Sequence, residues 1–173
     1  MNPKKTPSRT TRAKKHTQVE KISIFGLTAF MSPVSLHFYA SDFLRLAKAA
    51  PAVEAPFAPA RLYLVCHAIE LSMKAFLSIQ GHSLEKLSGQ PLAHNLENLL
   101  EEARKLSLEK MVPMEDRHIF QIKRASEYYG DKVFEYPAIY EAVRAYPQLP
   151  DIHVLLEVAD ALVTALAEPC LHA

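Results

Sequence analysis

At 173 residues the chain has room for one domain and a tail, and its 49% hydrophobic residues, four glycines and two cysteines exclude the disordered, collagenous and disulfide-framework classes. Its formal net charge is +1, but residues 1–17 hold six basic residues and no acidic one, so the other 14 of the 20 basic residues face all 19 acidic ones, a net of −5. A body of that sign is not a broad nucleic-acid platform, and contact with a phosphate backbone or an anionic surface falls to the leader.

Residues 1–18, rich in Pro, Ser, Thr and Lys, read as a basic flexible leader, and 19–173 as a single helical-bundle domain. Val19–Met31 is apolar and β-branched at first and fits either a short strand or a helix. Its apolar run begins too late for a signal peptide and is interrupted by Gly26. Ser32 and Pro33 then cap and open a helix to about Ala50, with Leu36, Tyr39, Phe43, Leu46 and Ala47 inward. The prolines between Pro51 and Pro59 make the next segment a loop.

Pro59 opens the central helix, Ala60–Gln80, which contains no Gly or Pro and is stopped by Gly81. Leu62, Cys66, Ile69, Met73 and Phe76 form one apolar stripe, and Leu64, Ala68, Leu71 and Ala75 a second. A helix apolar around most of its circumference sits in the middle of a bundle. A short turn at Leu84–Leu87 ends at Gly89. Leu92–Leu106 follows, with Leu96, Leu99, Leu100, Ala103 and Leu106 buried. The spacing predicts further helices over Met114–Tyr129, with Ile119, Ile122 and Ala125 inward, over 138–146, and from Asp151 through Leu155, Val158, Ala159, Leu162 and Leu166. The fold class is all-α, an up-and-down antiparallel bundle of about five helices. No 18-residue apolar run is present, so no membrane span is expected. Two cysteines without metal or redox spacing point to the cytoplasm, with Cys66 an inert buried thiol.

One stripe of the central helix breaks the apolar rule. Tyr63, His67, Glu70 and Lys74 stand at i, i+4, i+7 and i+11, within roughly a 60° arc. In one reading Glu70 and Lys74 pair, and His67 or Tyr63 completes a buried network that fixes helix register. In the other the seam lines a cleft closed by His94 at the start of the next helix. A helix start beside a lysine and two histidines then suggests a phosphate or nucleotide pocket. Tyr63 and His67 add more polar groups than one ion pair requires, which favours a partly open seam. His67, Glu70 and His94 resemble a metal set only weakly, because helical metal pairs recur in duplicate, and neither a metal nor a cofactor is expected. Tyr128, Tyr129, Phe134 and Tyr136 are stacking candidates whose commoner role is packing.

The segment His67-Ala-Ile-Glu-Leu-Ser-Met-Lys-Ala-Phe-Leu77, Gly81, and His94-Asn-Leu-Glu-Asn-Leu-Leu100 resembles the HEPN family, the higher eukaryotes and prokaryotes nucleotide-binding domain. The resemblance covers about 40 residues directly. It implies an HEPN-type bundle, association with nucleotide or RNA or with a protein partner, homodimerisation, and a role in a toxin–antitoxin or defence system. Ribonucleases of that family act through a late Arg-x4–6-His motif, which His118, His153 and His172 lack. The expected Arg-Tyr-Pro reads Glu135-Tyr136-Pro137. Arg61 and His67 match the spacing but stand in the wrong helix, about 120° apart if both are helical. The resulting expectation is a non-catalytic or divergent HEPN-like binding protein. An active metal-independent ribonuclease using Arg61 and His67, or a purely structural interaction module, is the alternative.

Overall fold

A computed structural model of the chain describes residues 20–24, 27–51, 57–136 and 148–173. The expected leader and the expected helix at 138–146 lie outside these residues. The described part is a helical bundle preceded by a short hairpin. The segment that periodicity left open resolves into two strands, β1 (Glu20–Ile24) and β2 (Leu27–Met31). They pair antiparallel, with Glu20 opposite Met31 and Ile24 opposite Leu27.

Helix α1 (Pro33–Ala49) starts where Ser32 and Ser35 bond reciprocally, the Ser35 amide donating to Ser32 Oγ at 3.2 Å and the Ser32 amide to Ser35 Oγ at 2.7 Å. Helix α2 (Pro59–Ile79) ends at Gln80, followed by Gly81 at φ +93°, a conformation that glycine adopts without a Cβ penalty. Then come α3 (Leu84–Ser88), α4 (Leu96–Lys105), a 3-10 turn (Leu108–Lys110), α5 (Asp116–Gly130) and α6 (Ile152–Leu171), the last capped by Asp151 as expected. Helix α2 packs against α1, α4, α5 and α6, while α1 and α5 also meet α6 and α4 meets α5.

The expected stripes of α2 and α6 are buried, Leu64 alone being only partly so. Over 18 residues α2 reaches a mean hydropathy of 1.4, enough by length and composition to cross a membrane. However, 72% of that window is buried inside the fold, which suits the central helix of a bundle. Two expected stripes shift. On α1 the buried set is Leu36, Ala40, Leu44 and Ala47, while Tyr39 and Leu46 face out at 61% and 42% exposure. Small alanines on the inner face permit close helix approach, which turns the larger side chains outward. On α4, Leu106 is the exposed C-cap rather than part of the core.

The start of α4 also differs from its expected position. Asn95 is its N-cap, its side chain accepting from the Asn98 amide at 2.8 Å, so Leu92–His94 form turns and His94 precedes the cap.

Candidate functional site

The polar seam of α2 faces the junction of α4 and α5. Glu70 is 1% exposed and accepts from Lys74 Nζ at 2.5 Å on one carboxylate oxygen. Its second oxygen accepts from the Tyr129 hydroxyl of α5 at 2.5 Å and from His94 Nδ1 at 3.2 Å, with His67 Nδ1 at 3.4 Å. His67 Nδ1 also lies 2.6 Å from the Tyr129 oxygen. One α2 carboxylate thus ties its own helix to α5 and to the turn before α4.

Burial by itself would push the Glu70 carboxyl up. Hydrogen bonding from His67, the charge and hydrogen bond of Lys74, and the Tyr129 hydroxyl outweigh it and hold the group down at about 2. The same burial, followed by the nearby Glu70 charge, pushes the Tyr129 hydroxyl far up, so it keeps its proton and remains a donor. Glu70 and Lys74 offset one another, leaving the interior of the cluster without net charge.

Aromatic rings surround the histidines. Tyr63 stacks on His67 at 5.5 Å between centroids and 11° between planes, and Phe43 meets the same imidazole edge-on at 4.5 Å. His94 meets Tyr129 edge-on at 6.2 Å. The Tyr63 hydroxyl is pushed up by partial burial and then by the negative charges of Glu135 and Glu70. Exposure grades outward through the cluster: the Lys74 side chain is 9% exposed, that of His67 19% and that of His94 57%.

The five seam residues therefore converge, enclosed at the Glu70–Lys74 end and exposed at His94, while groups that would hold a phosphate are engaged. Lys74 is committed to Glu70. At the start of α4 the Asn98 amide is held by the Asn95 side chain, and the Glu97 amide by Ser126 Oγ at 3.1 Å. Arg61 does not join His67, because its Nε donates to the Ala47 carbonyl at the end of α1, at 2.9 Å. Cys66 is fully buried, its thiol pushed up by burial and by the Glu70 charge, as suits an inert core residue. Among the described residues no group of three or more His, Cys, Asp or Glu is arranged to hold a metal ion.

Two participants were not assigned these roles from the sequence. Tyr129 completes the Glu70 shell, and Ser126 bonds both the Glu97 amide and Asn95 Oδ1, the latter at 3.3 Å. Their signal was present: Ile122, Ala125, Ser126 and Tyr129 make one helical stripe, so Tyr129 and Ser126 face the same way as the core. A second polar cluster lies at the α3–α4 edge. Glu102 accepts from His82 at 3.0 Å, Lys86 at 3.0 Å and Lys105 at 3.2 Å, and these bonds hold its carboxyl at about 2. Comparison with protein-family models, with curated proteins and with solved structures found no match.

Proposed function

We propose that this chain is an up-and-down bundle of HEPN type that binds nucleotide or RNA at the outer edge of the Glu70 cluster, and that it does so without the family's late ribonuclease motif. The observation that carries the reading is the gradient of exposure through one hydrogen-bonded cluster, from a closed Glu70–Lys74 base to a 57% exposed His94. A network serving register alone has no need of an imidazole at its surface. The resemblance of residues 67–77, 81 and 94–100 supports the nucleotide or RNA class, a homodimer, a toxin–antitoxin or defence setting, and a protein partner as the alternative occupant, while the cysteine usage supports the cytoplasm.

Binding of a labelled single-stranded RNA, followed by fluorescence anisotropy at low salt, tests the proposal. Saturable binding weakened by His94→Ala supports it, and no binding at any salt counts against it. Since Arg61 is drawn to Ala47, cleavage of that RNA is not expected. Robust cleavage abolished by His67→Ala would restore the ribonuclease alternative.

The register-device reading has one observation of its own. Glu70 is almost fully enclosed and its hydrogen-bonding capacity is filled from three chain segments. Both roles are compatible on one cluster, the inner half holding register and the outer half presenting His94.

A further inference from the structure

The hydrogen-bond pattern fixes which ring nitrogens of the site carry protons. Glu70 is ionised and can only accept, so Nδ1 of His94, 3.2 Å away, must be its protonated nitrogen. Tyr129 has one proton, and it is directed to Glu70. The Tyr129 oxygen can therefore only accept from His67 Nδ1, which is protonated as well and has the Glu70 oxygen as its second neighbour. An unprotonated Nδ1 on His67 would set a lone pair against that carboxylate. In the neutral imidazoles Nε2 is then an acceptor on both rings, and on His94 it belongs to the exposed side chain.

Several anion-binding groups, by contrast, are already engaged. The cluster's ammonium is held by Glu70, and two of the amides opening α4 are held by Asn95 and Ser126. An unprotonated Nε2 facing a dianionic phosphate is repulsive, whereas a hydroxyl or an N–H satisfies it. Aromatic rings flank the cluster, Tyr129 edge-on to His94 and the part-buried Tyr63 stacked on the neighbouring His67, which suits a flat heterocycle.

Resting on the nucleotide or RNA reading above, we infer that the site reads the nucleoside part of its ligand, a ribose hydroxyl or a base N–H donated to His94 Nε2, and leaves phosphate to solvent. This assigns His94 a donor-seeking role opposite to that of a phosphate clamp.

The test uses the full chain at pH 8, above the ordinary imidazole range. Long-range nitrogen–proton NMR correlations report the tautomers, and calorimetric titrations compare adenosine, guanosine, cytidine and uridine with their 5′-monophosphates and with inorganic phosphate. Expected are Nδ1–H tautomers on His67 and His94, and at least one nucleoside binding within about threefold of its monophosphate. Inorganic phosphate is expected not to compete, and His94→Ala to weaken the nucleoside by about two- to tenfold, the usual range for one hydrogen bond. A monophosphate bound more than tenfold tighter than its nucleoside, competition by inorganic phosphate, an Nε2–H tautomer on His94, or undiminished binding by His94→Ala overturns the inference while the nucleotide reading stands. Failure of nucleosides, monophosphates and a short single-stranded RNA alike overturns both.

Discussion

The Tyr129 hydroxyl donates to Glu70 at 2.5 Å across 59 positions of sequence, and with Lys74 on the other oxygen it makes an ionised carboxylate tolerable at 1% exposure. Without these donors a buried carboxylate would give up its charge. Removing the hydroxyl with Tyr129→Phe keeps the ring packing, deprives Glu70 of a donor and leaves His67 without its nearest acceptor. The expected loss is about 1–3 kcal/mol in urea melts. A loss below about 0.5 kcal/mol would mean that water fills the role and that the cluster is open.

Lys74→Met strands the Glu70 charge, and Glu70→Leu strands the Lys74 ammonium. Each is expected to cost about 3–5 kcal/mol, as for a broken buried pair. The double variant should recover part of that loss but not all, because Tyr129 and His94 then lose their acceptor. Single losses of about 1 kcal/mol or less would place the pair in solvent instead.

Acid should act on the same group. The Glu70 carboxyl titrates at about 2 in the fold, below the ordinary value of 4.5. Its contribution is therefore complete above about pH 4.5 and is lost as the pH falls from there toward 2. Urea midpoints measured from pH 7 to pH 2 should fall in that window, and less steeply in the Glu70→Leu, Lys74→Met double variant than in the native chain. Equal slopes would show that other carboxylates dominate.

Glu102 provides a contrast, since its carboxyl is also held at about 2 but its partners Lys86 and Lys105 are 53% and 71% exposed. Glu102→Gln is expected to cost less than about 1 kcal/mol, and that cost should shrink further in high salt. A cost comparable with that of Lys74→Met would show that the His82 contact carries more than a surface interaction.

The helices themselves were legible because their stops are local. Ser32, Pro33, Pro59, Gly81 and Asp151 act within a turn of their own positions and end or begin helices where chain chemistry requires. The stripe of Tyr63, His67, Glu70 and Lys74 was equally readable, being set by helical period alone. What could not be read was the partner across the core. Tyr129 and Glu70 meet through the packing of α5 on α2, and no spacing rule connects residues 59 positions apart. The rotation of α1 was missed for a related reason. Tyr39 and Phe43 are apolar enough to suggest an inward stripe, but Ala40 and Ala47 decide the close packing. His94 was read as part of the first turn of a helix beginning at Leu92, whereas the Asn95 side chain makes the better cap and leaves His94 in the preceding turn.

The most direct test of the central claim is a side-by-side measurement on His94→Ala and Tyr129→Phe, recording single-stranded RNA affinity and melting temperature for each. The account predicts that His94→Ala melts within about 2 °C of the native chain, as befits a largely exposed side chain, but binds RNA several-fold more weakly. Tyr129→Phe should melt lower by about 2–10 °C. RNA binding by His94→Ala equal to that of the native chain, at equal melting temperature, would contradict the claim that this cluster presents a ligand-binding edge.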